Sequence, residues 1–348
     1  MPSSFRPFAR ALALVCGGLL AFSAQARMQE LNDGQLSDVT GQAFINVTTD
    51  ALNGLNFTQI NFGADLQTQL NIKNLQLGLY NRSGANNNVG DIDIGNFALG
   101  TVNDATGTVN PFLINDPYIQ FAYSGTQLVG VRLGFGSAQG YLSGDIKSLT
   151  GNVPVDLYGT GTELGNAISC GINLVCLAAK GLISSTGDSR YTAAAQLVTS
   201  SGNPTSVRAD TVGLANGTAL DMTSAGNISG ALLGILLPLL TSQNCNLLGA
   251  TTCFPLSQYQ SIPIGQVDPN NAQNFVSSAK GVFLSLQSQS IQWRDQQDPS
   301  KIVQTIAGAF MNIPRNADGS AAINLDFTQG FNGIPRQDTC LGGLNKGC

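Results

Sequence analysis

The sequence contains no histidine in 348 residues. This absence excludes Ser-His-Asp and Cys-His catalysis, and it excludes every metal centre that relies on imidazole ligands. No G-x-S-x-G nucleophile motif and no G-x-x-x-x-G-K-[ST] phosphate loop occur either. Glutamate is present only at Glu30 and Glu163, which is too little for the clustered carboxylates of a polysaccharide-active enzyme. We therefore expect a protein that is not an enzyme and that binds no cofactor.

Charged residues are scarce, at 11% of the chain, and the formal net charge is −5. An acidic balance argues against nucleic acid as a partner, because phosphate binding needs clustered lysine and arginine. With few charges and 41 glycines, the surface must be covered mainly by Asn, Gln, Ser and Thr. This composition is typical of exported β proteins and unlike that of a cytosolic enzyme.

Two pairs of oxygen-bearing side chains are candidates for calcium binding, Asp91 with Asp93 and Asn316 with Asp318. Neither pair matches a complete calcium-binding loop. Aspartate and asparagine are common in turns because their side chains hydrogen-bond the nearby backbone. We therefore interpret both pairs as solvated turn residues and expect no metal site.

Residues 1–26 have the pattern of a secretory signal peptide. Arg6 and Arg10 form the basic region, an apolar run follows, and the small-residue sequence A-Q-A ends at Ala26. We expect cleavage before Arg27. The mature chain would then be exported by a Sec-type route to the periplasm, the outer-membrane surface or the medium.

Six cysteines remain after the signal peptide, and they fall into three close pairs. An even number of cysteines in an exported chain indicates disulfide bonds. Zinc is a poor alternative, because the chain has no histidine and no C-x-x-C spacing. Each short loop would stabilise the fold by about 2 to 3 kcal/mol. The clustering predicts three local bonds: Cys170 with Cys176, Cys245 with Cys253, and Cys340 with Cys348.

Residues 27–45 form a short segment between the signal peptide and a long β pattern. Leu36 and Val39 share one face of a predicted short helix, and Gly41 is placed to end it. One apolar stripe on about two turns cannot hold a helix alone, so the segment must dock on another surface. It is either an N-terminal cap on the domain core or a recognition and assembly segment. The recognition residues would be Leu36, Ser37, Val39, Gly41 and Gln42.

The motif L-S-D-V-T-G-Q at residues 36–42, directly after the signal peptide, resembles the mature N-terminus of a family of largely uncharacterised surface proteins of Gram-negative bacteria. Some members of that family are associated with pilus or filament assembly. The similarity continues through four further motifs: N-L-Q-L-G (74–78), D-I-D-I-G-N-F-A-L-G (91–100), D-P-Y-I-Q-F-A-Y (116–123) and L-S-G-D-I-K-S-L-T-G-N-V (142–153). The resemblance implies a role in assembly or display, and it brings no catalytic residues.

Apolar residues recur at every second position in the first half of the mature chain, the pattern of strands with one buried face. Residues 70–78 and 92–100 match each other at a spacing of 22, and residues 145–151 are a third copy. In each copy the alternation slips at an Asn or Ser, which predicts a bulge. The period suits either one coil of a β-helix or a hairpin in a large antiparallel sheet. The turn S-G-T-Q at residues 124–127 favours a hairpin locally.

Two apolar runs interrupt this β pattern. Residues 164–183 have helical spacing and predict a buried helix. An intact helix would hold Cys170 and Cys176 about 9 Å apart along its axis, beyond disulfide reach, so either the helix breaks between them or that pairing is wrong. Residues 231–240 are too short to span a bilayer, and they predict a second buried helix within residues 228–242.

Later segments return to short strands. We expect one strand over residues 280–293, a short helix within residues 299–312 and a last strand at residues 323–327. No linker or charge run divides the chain, so residues 46–348 are predicted to form one domain. The expected fold class is mainly β, either one extended twisted antiparallel sheet or a β-helix-like domain, with short helical excursions.

The sequence therefore predicts an exported surface or structural protein that acts in pilus- or filament-type assembly, adhesion or surface display. Its expected partners are other surface or outer-membrane proteins, a second copy of this chain, or a lipid. The alternative is a carrier for a hydrophobic ligand such as a lipid, with the runs at residues 164–183 and 231–240 lining a pocket. Oligomers of the purified protein would favour the first hypothesis, and co-purified lipid would favour the second.

Overall fold

The computed structural model describes residues 45–224, 241–247, 250–268, 271–316 and 318–340. The chain divides into two units, Met1–Gln42 and Ala43–Cys348, and every described residue belongs to the second. The expected signal peptide, the five recognition residues and the apolar run at residues 231–240 lie outside the described residues. The hypotheses about those three segments stay predictions.

Strands dominate the described part of the chain. In chain order they are β1 (Ile45–Leu52), β2 (Leu55–Phe62), β3 (Asp65–Thr68), β4 (Leu70–Leu77), β5 (Ile92–Leu99), β6 (Thr101–Asn103), β7 (Thr108–Asn110), β8 (Phe112–Ser124), β9 (Gln127–Leu149), β10 (Gly151–Asn152), β11 (Val155–Thr160), β12 (Arg190–Val198), β13 (Thr211–Gly213), β14 (Asp221–Ser224), β15 (Asn246–Leu247), β16 (Ala250–Thr251), β17 (Cys253–Pro255), β18 (Ser261–Ile264), β19 (Gln266–Asp268), β20 (Asn271–Ser277), β21 (Ala279–Lys280), β22 (Phe283–Gln287), β23 (Gln292–Arg294), β24 (Ile302–Gln304), β25 (Gly308–Asn312) and β26 (Ile323–Asp326). The α-helices are α1 (Gly161–Ala167), α2 (Leu174–Ser185) and α3 (Phe327–Asn332). The mainly β fold class is confirmed.

The largest sheet is organised around β9, which continues for 23 residues. Its first half pairs with β8, β21 and β22, and its second half pairs with β5 and β18. The partners change near Gly140, whose φ is +136°. A Cβ at Gly140 would lie 2.9 Å from the Phe112 ring, so glycine permits the close approach of the two strands here. The path across the sheet runs β1, β2, β8, β9, β22, β25 and β10.

The three copies of the repeated pattern lie side by side in this sheet. β4 pairs antiparallel with β5, starting from Leu70 opposite Leu99, and β5 pairs with residues 142–149 of β9. The 22-residue spacing therefore marks a hairpin and its neighbouring strand, not successive coils of a β-helix. The slip expected in the pattern is present in β5, where Asn96 has a φ of +49° and the register with β9 shifts.

A second sheet has the order β17, β13, β12, β11 and β26, with β14 beside β12. β11 with β26 and β10 with β25 are parallel pairs. The other pairs of these strands are antiparallel. Antiparallel pairing thus agrees with the sheet hypothesis, although the strands form two larger sheets and not one. Four two-stranded ribbons complete the set: β6 with β7, β15 with β16, β19 with β20, and β23 with β24.

Two apolar cores hold these elements together. The main core joins both sheets and the helices, and its fully buried side chains include Ile94 of β5, Leu164 of α1 and Phe327 of α3. The smaller core lies between the large sheet and the β23–β24 ribbon, and Trp293 is its largest fully buried side chain. This second core covers one face of the first half of β9, which determines which face stays open.

The helical excursion at residues 164–183 is broken, as the disulfide requires. α1 and α2 are separate helices, and the Cα atoms of Cys170 and Cys176 are 5.4 Å apart across the break. The expectation that the whole run is buried is wrong, because the side chain of Ile172 is 98% exposed. The turn between the helices thus presents an apolar side chain to solvent.

Two expectations for the late segments need correction. The short helix expected within residues 299–312 is absent, and β24 and β25 occupy that stretch. Its residues Ile302 and Val303 are β-branched, and Val303 pairs across the ribbon with Trp293. The single strand expected over residues 280–293 is divided between β22 and β23, because the chain turns between them to cross the face of the large sheet.

Candidate functional site

The described cysteines of the three expected pairs are all disulfide-bonded. Cys170 with Cys176 and Cys245 with Cys253 have Cα separations of 5.4 and 5.1 Å. Cys340 is bonded as well, and its partner lies outside the described residues. These bonds indicate an oxidising, exported environment. Within the described ranges, no helix is long and apolar enough to cross a membrane.

Asp91 is neither a calcium ligand nor a solvated turn residue, so the sequence-based interpretation is wrong here. Its side chain is fully buried, and its Oδ1 accepts a hydrogen bond from Arg208 Nε at 2.9 Å and lies 3.3 Å from Arg82 Nη2. Its Oδ2 accepts from the backbone N–H of Ala309 at 3.0 Å. Asp93 is buried too. No cluster of three metal-ligating side chains occurs in the part of the chain that the structure describes.

Arg208 fastens the segment of residues 78–91 to the rest of the domain. Its guanidinium is fully buried and donates to the backbone carbonyls of Gly78, Tyr80 and Asn86 at 3.0, 2.7 and 2.8 Å. Buried carbonyls without a donor would be costly, so one arginine that satisfies three of them stabilises an irregular segment. The buried Asp91–Arg208 pair is therefore an anchor. A lone arginine in a polar stretch carries no sequence signal for that role.

The pair Asn316 and Asp318 agrees with the turn interpretation. Asp318 is exposed and accepts the Ser320 hydroxyl at 2.6 Å and the Ser320 backbone N–H at 2.9 Å. These hydrogen bonds lower the pKa of the Asp318 carboxyl. The Asp318 carboxylate thus stabilises the turn in which it lies.

Alternate residues of an antiparallel sheet point to opposite faces, and directly opposite residues share a face. One face of the large sheet, here called the covered face, lies under the β23–β24 ribbon. It carries a polar row across four neighbouring strands, Gln59, Gln120, Arg132 and Ser285, and the next residue of the row is the apolar Phe310. A buried cation lies at the centre of this row.

That cation, Arg132, is fully buried. It donates to the backbone carbonyl of Arg294 at 2.9 Å and to the side-chain oxygen of Gln120. Burial lowers the pKa of Arg132. Its guanidinium carbon lies 5.0 to 5.3 Å from the centroids of three aromatic rings: Tyr118, Phe283 and Trp293. Because two of its contacts are in β23, Arg132 clamps the ribbon onto the covered face.

The opposite face of the same strands, here called the open face, is apolar. Its central row crosses six strands from β1 to β25: Val47, Ile60, Ile119, Leu133, Leu284 and Met311. Val47 is 57% exposed and Leu133 is 43% exposed. A neighbouring row includes Val131 and Leu286, of which Leu286 is 44% exposed. At the far end of the row, Leu284 and Met311 pack against the main core. The apolar part of the open face that meets solvent therefore extends from Val47 to Leu133 and includes Leu286.

β1 forms one edge of the large sheet. Among the strands that the structure describes, it pairs only with β2, and the eight pairs run without a bulge. All of β1 except Leu52 is exposed. Natural sheets usually protect long edges with lysine, proline, bulges or very short strands. β1 has none of these, whereas β10 at the other end of the path has two residues.

Sequence reasoning missed the β1–β2 hairpin although a signal was present. Asn53 and Gly54 connect the two strands with φ values of +51° and +80°. Asn-Gly between alternating segments is the preferred sequence of a two-residue hairpin turn. Beside the turn, Asp50 of β1 accepts a hydrogen bond from Arg294 Nε at 2.5 Å, which lowers the pKa of that carboxyl. This ion pair ties the hairpin to the β23–β24 ribbon.

A small apolar cavity lies inside the main core, between the second sheet and α3. Its volume is about 40 Å³, and none of residues 164–183 lines it. The lining includes Val155, Ala195, Phe254 and Leu325. Ligand pockets for molecules of lipid or drug size usually measure about 300 to 1,000 Å³. The cavity therefore holds no acyl chain without opening.

Comparison with known proteins adds one finding. A family described as a family of unknown function, DUF6160, matches residues 7–105. The matched stretch contains the L-S-D-V-T-G-Q motif and β1 through β6. No curated protein and no solved structure matches the chain. The chain is thus similar to this family over the stretch that leads into, and forms, the exposed edge of the large sheet.

Proposed function

We propose that this protein is exported by the signal peptide at residues 1–26 and acts as a surface or structural protein in pilus- or filament-type assembly, adhesion or surface display. Its partners would be other surface or outer-membrane proteins or a second copy of the chain. The open face is the observation that carries the proposal. Contiguous apolar surfaces of this kind mark interaction sites, since soluble monomers rarely expose them.

The position of the open face supports an interaction role. The β23–β24 ribbon covers the opposite face, where Arg132 lies against three aromatic rings. On the open face, by contrast, Leu133 and Leu286 are each more than two-fifths exposed. The predicted recognition segment, residues 36–42, comes just before β1 in the sequence. The motif and the exposed edge therefore belong to one continuous stretch of chain.

The double variant Leu133→Lys with Leu286→Lys tests this function. Both side chains point to solvent, so lysine should leave the fold intact, while two desolvated charges should block burial of the face against a partner. We expect normal export, an unchanged melting temperature and loss of surface appearance or of assembly in a Gram-negative host. The measurements are protease accessibility on intact cells and native mass spectrometry of the purified protein.

Ile302→Lys is the matched control, because Ile302 is 45% exposed but belongs to the ribbon on the covered side. It should behave like the unaltered protein. Unchanged surface levels and assembly in the double variant would contradict the proposed function.

The second candidate function, a carrier for a hydrophobic ligand, has the apolar lining of the core cavity in its favour. It needs that cavity to widen well beyond about 40 Å³. Native mass spectrometry separates the two functions, since a carrier should retain lipid as a monomer. Lipid-free protein after mild purification would count against the carrier.

A further inference from the structure

We propose that two copies of this chain pair through β1, antiparallel and about a two-fold axis, with Thr48 of one copy opposite Thr48 of the other. The inference rests on the proposed function and names its partner, a second copy of the chain. The pairing would join two large sheets into one continuous sheet across the axis.

The first support is the edge itself. Alternate residues of β1 point their backbone N–H and C=O groups away from β2, and no strand among the described residues pairs with them there. Such a row of backbone groups is a template for another strand. Its only charged residue, Asp50, is engaged by Arg294 at 2.5 Å. An incoming strand therefore meets hydrogen-bonding backbone and no free charge that would repel it.

The second support is the symmetry of the two faces. A two-fold axis perpendicular to the sheet makes the paired strands antiparallel and keeps both open faces on the same side. A two-fold axis that lies along the strands would make them parallel and set the open face of one copy beside the covered face of the other. Of these two arrangements, only the antiparallel one places the open face of one copy beside the open face of the other.

The register follows from side-chain parity and charge. Apolar Ile45 and Val47 alternate with polar Asn46 and Thr48. The open faces of the two copies therefore lie on the same side only if one residue of β1 is directly opposite the same residue of the second copy. Centring it on Thr48 pairs all of β1 except Leu52.

This register also suits the charge of Asp50. It places Asp50 opposite the second copy's Asn46, an amide that can donate to the carboxylate. The two Asp50 side chains are then about 14 Å apart along the strands. Centring the axis on Thr49 would bring them to a diagonal distance of about 7 to 8 Å, and centring it on Val47 would leave the last three residues of β1 unpaired.

Charge variants at Thr48 test the pairing, because Thr48 is exposed and each variant should fold. Thr48→Lys alone and Thr48→Asp alone each place like charges opposite each other across the axis. Each should weaken the dimer of the mature protein by about fivefold at low salt. An equimolar mixture of the two variants should form mixed dimers at least as tight as those of the unaltered protein. Analytical ultracentrifugation over a concentration series measures all four samples.

Other outcomes overturn the proposal in distinguishable ways. If Thr48→Lys tightens the dimer and Thr48→Asp weakens it, Thr48 faces Asp50 and the register is wrong. If both variants associate like the unaltered protein, or if no dimer forms at any concentration, β1 does not pair with itself. The proposed function fails by a separate result, unchanged surface appearance of the Leu133→Lys, Leu286→Lys variant.

Discussion

At the scale of single residues, the buried polar groups of this protein act as anchors. Arg132 lies among aromatic rings and holds a ribbon on a sheet, and Arg208 with Asp91 holds an irregular segment. Each charge is paired with donors, acceptors or π faces, which offsets part of its desolvation cost. None of these groups adjoins the small core cavity. Their arrangement supports a rigid sheet.

Asp91→Asn tests the anchor. The substitution preserves shape but leaves Arg208 buried without its counter-charge, which should lower the free energy of unfolding by about 3 to 5 kcal/mol. Urea denaturation at neutral pH measures the change. Asp298→Asn is the control, because the Asp298 side chain is 44% exposed and its contact with Lys301 at 3.4 Å is a surface pair of little weight. Equal losses in the two variants would refute the anchoring role of Asp91.

At the scale of elements, two-residue hairpins organise the edge of the large sheet. Gly54 requires a positive φ of +80°, and a Cβ there would meet no atom within 4 Å. The cost of alanine at this position is therefore purely conformational. The hairpin carries β1, so its turn positions the edge that the dimer would use.

Gly54→Ala should destabilise the protein by about 1 kcal/mol, the cost of a left-handed conformation for an L side chain. Gly181→Ala should do the opposite and stabilise it by about 0.5 to 1 kcal/mol. Gly181 lies within α2, has free space around its Cα and has no positive φ. If backbone conformation determines the stability change, thermal unfolding should show a lower melting temperature for Gly54→Ala and a higher one for Gly181→Ala. Shifts of the same sign would contradict this account.

Local pairing could be predicted from the sequence, because turn residues specify it. S-G-T-Q at residues 124–127 marks the β8–β9 hairpin, where Ser124 lies opposite Gln127. The copies of the repeat also became neighbours as an antiparallel sheet requires. Long-range pairs such as Gly134 with Phe283 could not be predicted, since no local pattern selects a partner so distant in the chain.

The open face could not be predicted for a different reason. The usual pattern buries apolar residues and exposes charges, yet β9 buries Arg132 and exposes Leu133. The ribbon that covers Arg132 comes from residues 292–304, and only the tertiary structure shows on which face it packs. Alternation in the sequence therefore locates the two faces of β9 without telling which one meets solvent.

At the scale of the whole molecule, the proposed export and the proposed assembly would depend on different segments of the chain. Residues 31–42 carry the motif that implies assembly, and they precede the β domain. Burying Leu36 and Val39 would contribute about 3 to 6 kcal/mol before ordering costs, which is enough for docking but small against the cores of the domain. The β domain should thus fold without this segment.

Deletion of residues 31–42 should leave the mature protein folded, with its melting temperature lowered only modestly, while it abolishes surface appearance or multimer formation. Circular dichroism of periplasmic protein reports the fold, and protease accessibility on intact cells reports the surface level. Unchanged surface level and unchanged oligomeric state would reduce the segment to a local cap.

The absence of histidine has a consequence for the whole molecule, because no side chain has an ordinary pKa near neutrality. The described cysteines are disulfide-bonded and do not titrate. The titrating side chains fall in two separate ranges, acidic groups below about pH 5 and tyrosines and lysines above about pH 9. Stability should therefore be nearly flat between these ranges.

The pKa shifts of Asp50 and of the buried tyrosines predict how stability changes at acid and at alkaline pH. Arg294 lowers the pKa of Asp50, so the contribution of that ion pair is present above the unfolded pKa and is lost as the pH falls through the folded value. Burial raises the pKa of Tyr118, Tyr191 and Tyr259. Their contribution is complete below about pH 10, the unfolded pKa, and is lost as the pH rises toward the folded values.

We expect melting temperatures measured from pH 3 to pH 11 to form a plateau with an acid fall and an alkaline fall. Tyr259→Phe should lower the plateau, since the Tyr259 hydroxyl donates to the backbone carbonyl of Gly330. The same variant should make the alkaline fall shallower, because phenylalanine has no proton to lose. A step in stability between pH 6 and pH 8, or an alkaline slope unchanged by Tyr259→Phe, would show that groups other than these carboxyls and phenols control the folding equilibrium.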